Sequence, residues 1–318
     1  MAASKTKASS TSHRRTADGL RVADSALGLI GATPLVRLGR ISGELEVNLW
    51  AKCEFLNPAG SVKDRPALAM ILEAERDGRL PEKSVLVEAT SGNTGISLAM
   101  IAAVRGHRCV LVMPEDMSLE RRYVLQAYGA EIELTPASSG MAGAVERARE
   151  IAQATRGAFM PSQFENPSNP QSHYETTARE VWQQLDGKVD AFVAGVGSGG
   201  TFTGSGRFFR EQEKRVLLVA VEPAASAVLS GKAPGLHGIQ GLGAGFVPAV
   251  LERELIDEVV TVSDVAAERT ARKLAQTEGL LVGPSSGANV YAALSIAQKH
   301  SLSNVVTVLC DSGERYLF

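Results

Sequence analysis

Five short segments hold the residue types that could do chemistry. In Asn57-Pro-Ala-Gly-Ser-Val-Lys63-Asp-Arg65, Pro58 and Gly60 favour a turn, Ser61 suits an N-cap and Pro66 a first helical turn, which sets Lys63 at a helix start. Most lysines in such a place are exposed surface cations. Beside a positive helix end and Arg65, however, the neutral amine of Lys63 is favoured, and that is the form that condenses with a carbonyl. Ala89-Thr-Ser-Gly-Asn-Thr-Gly95 crowds the hydroxyls of Thr90, Ser91 and Thr94 and the amide of Asn93 around Gly92, between an apolar run and a helical pattern. A helix N-terminus so furnished binds a carboxylate or a phosphate. A capping Asn93 or Thr94 would account for one of these residues, not for a run of consecutive small polar ones.

Gly195-Val-Gly197-Ser198-Gly199-Gly200-Thr201 again lies between an apolar run and a helix, here expected to begin near Phe202. Its Gly-x-Gly-x-x-Gly spacing fits a dinucleotide fingerprint, with Glu222 at about the acidic position that motif expects. Ser198 and Thr201 add hydroxyl donors, which favours the more numerous acceptor oxygens of a phosphomonoester. By itself, Val282-Gly-Pro-Ser-Ser-Gly-Ala288 is a turn with an N-cap serine, and Gly238-Ile-Gln-Gly-Leu-Gly-Ala-Gly245 is a flexible loop without visible chemistry. His107, His173 and His237 have no ligand spacing, so each is expected as a surface or hydrogen-bonded core histidine, and no metal is expected.

Positioning these segments requires a regular scaffold, and short Val/Leu/Ile runs do alternate with amphipathic stretches from about Val47 onward. Strands are expected at Val85–Val87, Cys109–Met113, Glu131–Leu134, Val189–Ala194, Val216–Val221 and Val305–Leu309, with continuous apolar character that indicates burial on both faces. Ala67, Met70, Ile71 and Ala74 follow helical spacing, as do Ile96, Ala99, Met100 and Ala103. The alternation predicts an α/β protein of two doubly wound domains with parallel-type sheets, its active site between the domains. Proline-rich Pro161–Pro170 is the expected connection, and the polar, basic residues 1–19 the expected disordered tail, although their composition is similar to that of an organelle transit peptide.

Lysine plus arginine number 33 against 35 aspartate plus glutamate, so no strong field exists to gather nucleic acid or an anionic membrane. The longest apolar run, Leu98–Val104, is too short to span a bilayer. Cys53, Cys109 and Cys310 form no C-x-x-C pair; Cys109 and Cys310 fall in apolar runs as core thiols, as in a reducing, cytoplasmic setting.

Together the segments resemble the cysteine synthase (O-acetylserine sulfhydrylase) family of pyridoxal-phosphate enzymes, in the larger group that includes cystathionine β-synthase and threonine dehydratase. The resemblance runs from Ile30-Gly-Ala-Thr-Pro-Leu35 to Gly313-Glu-Arg-Tyr-Leu317, through Gly60–Arg65, Thr90–Gly95, Gln163-Phe164, His173–Thr177, Gly197–Thr201, Ile239–Phe246 and Ser285–Gly287. It implies a tryptophan synthase β-like (fold-type II) enzyme, with residues 20–57 and 162–318 as the larger cofactor-binding domain and 58–161 as a smaller, mobile substrate domain. Lys63 would hold pyridoxal 5'-phosphate as a Schiff base and Asn93 would bond its ring hydroxyl. Gly197, Ser198, Gly199, Gly200 and Thr201 would cradle its phosphate, and Ser285 would face the pyridine nitrogen. Thr90, Ser91, Gly92, Asn93, Thr94, Gln163 and Gly241 would bind the amino-acid substrate. A neutral serine at the pyridine nitrogen weakens the electron sink and favours loss of a β-substituent over transamination, with freed Lys63 as general base. The implied reaction replaces the acetate of O-acetyl-L-serine by sulfide, through an aminoacrylate intermediate, to give L-cysteine. A homodimer and a serine acetyltransferase partner are the associations the resemblance implies.

Some positions depart from the pattern. Ala178-Arg179 stands where cysteine synthases commonly have Gly-Pro and is closer to cystathionine β-synthases; Gly238 replaces a common lysine, Pro284 an aliphatic residue, and relatives continue past the position of Phe318. Two alternatives follow, a cystathionine β-synthase-like enzyme acting on serine and a non-catalytic ligand-binding member. A nicotinamide-dependent dehydrogenase would account for the glycine segment alone.

Overall fold

The computed structural model describes residues 13–15, 21–43, 45–90 and 92–317, without the side chains of 13–15 and 21. The chain forms two compact units. The larger comprises Gly31–Leu56, Gly60–Ala69 and the chain from Ser162 onward; the smaller comprises the described residues up to Ile30, with Asn57–Ala59 and Met70–Pro161.

In the larger unit a six-stranded sheet runs in the order Glu258–Val262, Leu217–Pro223, Ala191–Gly195, Asn304–Leu309, Asn48–Cys53, Leu35–Arg37. It is parallel except for the edge strand Leu35–Arg37. Side chains alternate across a strand, and here both faces are apolar. Val193, Val219, Val221 and Val305 pack with Ala267, Leu274, Ala288 and Ala292 from the helices Asp264–Glu278 and Pro284–His300. Their neighbours Phe192, Ala194, Leu218, Ala220 and Val306 pack with Phe202 and Phe209 of the helix Gly200–Arg210 on the opposite face. The sheet is doubly wound for that reason.

In the smaller unit four parallel strands follow the order Glu131–Thr135, Arg108–Pro114, Val85–Ala89, Ala158–Phe159. Val87, Ala89, Val110 and Val112 pack against Ala144 and Ala148 of the helix Gly140–Ala154. The helix Asn93–Arg105 buries Thr94 through Ala102. Its expected apolar stripe ends early, since Ile96, Ala99 and Met100 are buried while Ala103 is exposed in the last turn.

All six expected strands are present with ends shifted by one or two residues, and further strands join them. Of the expected tail, His13–Arg15 pairs antiparallel with Arg21–Ala23; residues 1–12 and 16–19 lie outside the described residues. The segmentation also differs from expectation: the described residues up to Ile30, and Asn57, cluster with the smaller unit, and residues 60–69 cluster with the larger. Long-range contacts hold the latter there: Val62 N–H donates to Cys310 O at 2.8 Å and Ser61 forms a bridge with Asp311.

Asn48–Cys53 lacked an apolar signature because Lys52, at 0% exposure, points into a buried ion network. Its Nζ donates to Thr33 O at 2.6 Å and to Gln184 Oε1 at 2.9 Å, and pairs with Glu180 at 2.7 Å. Arg65 donates to both oxygens of Glu54 (2.7 and 2.8 Å) and to both of Glu180 (2.7 and 2.8 Å). Thr33 Oγ1 completes the set by donating to Glu54 at 2.7 Å. Burial would raise the Glu180 carboxyl, but the hydrogen bonds and charge of Arg65, with Lys52, hold it at about 2. Burial likewise opposes Glu54, yet Arg65 and Thr33 keep it below the usual carboxylate range.

Removing one partner of such a buried set leaves an uncompensated charge, so Glu54→Gln should lose roughly 3–5 kcal/mol of stability, read as a lower urea midpoint. Glu180 has a folded pKa of about 2, below the ordinary 4.5. Its contribution is therefore complete above the ordinary value and is lost as pH falls toward the folded one. Urea midpoints should decline across that acid window, and less steeply in Glu180→Gln.

Candidate active site

Lys63 sits one residue ahead of the helix Asp64–Arg76, at the N-cap position expected for Ser61; the Ser61 hydroxyl instead accepts from the backbone N–H of Lys63 at 3.3 Å, in the turn before the helix. Lys63 is half-buried. Withdrawal from water lowers its ammonium pKa from the usual lysine value, against Cys310 and Asp311. The neutral amine is thus favoured, but burial is the main cause rather than Arg65, whose charge Glu54 and Glu180 balance.

Cys310 lies just past the strand Asn304–Leu309 rather than within it. Burial pushes its thiol up to about 12, with Asp311 adding, and with Lys63 and a Ser285 hydrogen bond opposing. Its backbone N–H donates to Ser286 Oγ at 2.8 Å. That bond leads from the lysine segment to the helix Pro284–His300, where Ser285 is the second residue, buried, with Gly283 and not a serine at the N-cap.

The loop expected to be flexible is tied down. Ile239 is fully buried, and Gly243 N–H donates to Val196 O at 3.0 Å. A Cβ on Gly241 would stand 3.6 Å from Ser285 Oγ, and a Cβ on Gly197 would fall on the Gly241 carbonyl oxygen. Gly197, Gly241 and Ser285 are therefore neighbours through close backbone approach.

From Gly197 the chain enters the helix Gly200–Arg210, two residues earlier than expected, with Gly199 at the N-cap and φ +88°. The first backbone N–H groups of a helix lack intrahelical partners and favour an anion. Buried Ser198 accepts from Asn169 Nδ2 at 3.0 Å, and the same nitrogen donates to Gln163 O at 2.7 Å. Asn169 Oδ1 is buried with no hydrogen-bond partner among the described residues and occupies the place a Cβ on Gly200 would need. No sequence signal marked Asn169, which lies in the proline-rich stretch without periodicity. Thr201 Oγ1 is 3.2 Å from His173 Nε2.

Glu222 is not poised for a ribose. Its carboxylate accepts from the backbone N–H groups of Leu229 (2.8 Å) and Ser230 (3.1 Å) and from Ser230 Oγ (2.6 Å). The acidic residue that gave the dinucleotide fingerprint its support instead closes a loop of its own chain.

In the smaller unit the strand Val85–Ala89 leads through Thr90 to the helix beginning at Asn93. Thr90 N–H donates to Val112 O at 3.1 Å and its Oγ1 accepts from Gly92 N–H at 3.3 Å. Neither Asn93 nor Thr94 is the cap; Gly92 is, and it brings no side chain to the helix end. Ser91 lies outside the described residues. The histidines are hydrogen-bonded, His107 to Glu75 and His237 to Gly243 O. Among the described residues no group of three or more His, Cys, Asp or Glu could hold a metal ion, and no helix is long and apolar enough to cross a membrane.

Residues 26–311 match the family described as pyridoxal-phosphate dependent enzyme. The chain belongs to that family. A cysteine synthase of Staphylococcus aureus is 48% identical over 92% of this chain and 95% of its own, and cysteine synthase B of Campylobacter jejuni 49% identical over 94% and 98%. Among solved structures, a cysteine synthase from Entamoeba histolytica superimposes with a TM-score of 0.90 at 39% identity, covering 93% of this chain and 90% of its own. An O-ureido-L-serine synthase matches with a TM-score of 0.90 at 45% identity, covering 93% and 94%. An O-acetylserine dependent cystathionine β-synthase from Helicobacter pylori matches with a TM-score of 0.87 at 40% identity, covering 93% and 97%.

The chain is thus a pyridoxal-phosphate enzyme with the fold of the cysteine synthases, and its residues fit that cofactor. Gly197 and Gly200 leave no room for a Cβ against the Gly241 carbonyl and Asn169, two hydroxyls stand at a helix N-terminus, and burial favours the neutral amine of Lys63. One charge-assisted hydrogen bond to phosphate is worth about 1.5–3 kcal/mol, so Ser198→Ala should raise the Kd for pyridoxal phosphate by about tenfold or more in a fluorescence titration.

Proposed function

We propose that this enzyme replaces the acetate of O-acetyl-L-serine by sulfide to form L-cysteine. The observation that carries the reading is near-full-length identity of 48–49% to cysteine synthases of two organisms. The cofactor, when bound, acidifies the Cα–H of an amino acid attached to it. Lys63 would hold the cofactor through Nζ, and its desolvated amine is suited to take and return a proton at Cα. The first turn of the helix Gly200–Arg210, with Ser198 and Thr201, holds the phosphate. Asn93 bonds the ring hydroxyl. Ser285, neutral and buried, would serve the pyridine nitrogen without imposing the charge that a carboxylate would. Thr90 through Thr94 take the substrate carboxylate at a helix N-terminus, with Gln163 and Gly241 completing the substrate contacts. In this reading the larger unit is the cofactor domain and the smaller one the substrate domain.

Ala178-Arg179 and the likeness to the Helicobacter pylori protein favour a second reading, in which a thiol amino acid takes the place of sulfide. An O-ureido-L-serine synthase stands beside cysteine synthases among the structural relatives.

Borohydride treatment of the yellow holoenzyme should fix the cofactor on the peptide containing Lys63; label elsewhere would remove the assignment. Initial rates with O-acetylserine and sulfide should exceed those with homocysteine, paired with either O-acetylserine or serine, by at least about tenfold in kcat/KM, or roughly 1.4 kcal/mol. Faster turnover with homocysteine, on either acceptor, would replace the first reading by the second.

A further inference from the structure

His173 is a buried residue beside the glycine segment for which the proposed reaction has no role. It opens a π-helical turn, His173–Ala178, a rare local geometry that often marks functional positions. Its Nδ1 lies 2.9 Å from Thr177 Oγ1 and its Nε2 3.2 Å from Thr201 Oγ1. Burial, then the charges of Arg65 and Lys63, hold its pKa well below the ordinary imidazole value against Glu180, so the ring is neutral.

A neutral imidazole has one N–H and one bare nitrogen, and each flanking hydroxyl has a single hydrogen. With the hydrogen on Nδ1, Nε2 takes the hydrogen of Thr201, which then turns only lone pairs toward the cup. With the hydrogen on Nε2, Thr177 donates to Nδ1, Nε2–H donates to Thr201 Oγ1, and the Thr201 hydrogen stays available to a ligand. A phosphate dianion only accepts, so it is served by the second arrangement alone. Hydrogen bonds in such a chain polarise one another and strengthen the last donor.

We propose that His173 is a positioning residue whose Nε2–H tautomer makes Thr201 a donor toward the phosphate of the cofactor. The proposal rests on the reading of Gly197–Thr201 as the phosphate cup. Nitrogen-15 NMR of the histidines in the wild-type protein loaded with pyridoxal phosphate should show His173 protonated at Nε2, whatever its variants do. In cofactor titrations Thr201→Val and His173→Asn should each raise Kd by about tenfold or more. The double variant should be no weaker than Thr201→Val alone, because His173 acts through Thr201. His173→Gln, whose amide nitrogen reaches the Nε2 position, should keep most of the affinity. An Nδ1–H tautomer in the loaded protein, or a His173→Asn loss undiminished in the Thr201→Val background, would overturn the relay and leave the cup standing. Unchanged affinity in Thr201→Val would overturn the cup and the relay with it.

Discussion

The guanidinium of Arg65 lies between the carboxylates of Glu54 and Glu180, donating two hydrogen bonds to each, while Lys52 binds Glu180 from another side. Charges so deeply withdrawn from water are tolerable only as a complete set, because the desolvation of any one is offset by the others. The set ties the strand Asn48–Cys53 and the π-helical turn's continuation at Glu180 to the chain two residues beyond Lys63. It also balances the nearby positive charge of Arg65. Lys63 is then left to respond mainly to burial, which is the direction an amine nucleophile needs.

A second constraint is steric. Gly197 and Gly200 are approached so closely, by the Gly241 carbonyl and by Asn169, that no side chain fits at either position. Such glycines let a backbone approach another backbone and leave helix N–H groups facing outward. The same arrangement suits a dinucleotide or a phosphomonoester, and the choice falls to the surrounding polar groups. Glu222 is occupied by the backbone at Leu229 and Ser230, whereas Ser198 and Thr201 place hydroxyls at the start of the helix Gly200–Arg210. Membership of the pyridoxal-phosphate family agrees with that chemistry.

Cofactor and substrate candidates are unequally distributed. Every proposed cofactor contact except Asn93 belongs to the larger unit, and the proposed carboxylate segment Thr90–Thr94 belongs to the smaller. In the proposed reading, the cofactor contacts therefore lie mostly in one unit and part of the substrate contacts in the other. The likeness of one chain to cysteine synthases, an O-ureido-L-serine synthase and a cystathionine β-synthase is consistent with that division.

Six strands, the doubly wound α/β class and the lysine, glycine and hydroxyl segments were legible in the sequence because each rests on local pattern: unbroken apolar runs, helical spacing, and glycine or hydroxyl clusters at helix starts. Tertiary packing alone decided the rest. Asn48–Cys53 is a central strand carrying a buried lysine, and only partners from distant parts of the chain make that burial possible. Asn169 gained its place beside Ser198 and Gly200 from contacts about thirty residues away in sequence, without any periodicity to announce it. The loop around Gly241 looked flexible because glycines leave the isolated chain free; in the fold, a hydrogen bond to Val196 holds it, and Gly197 and Ser285 pack close to Gly241. Residue types and spacing determined which chemistry was available, and three-dimensional packing decided which groups share a site, since burial and partnership depend on residues no local window contains.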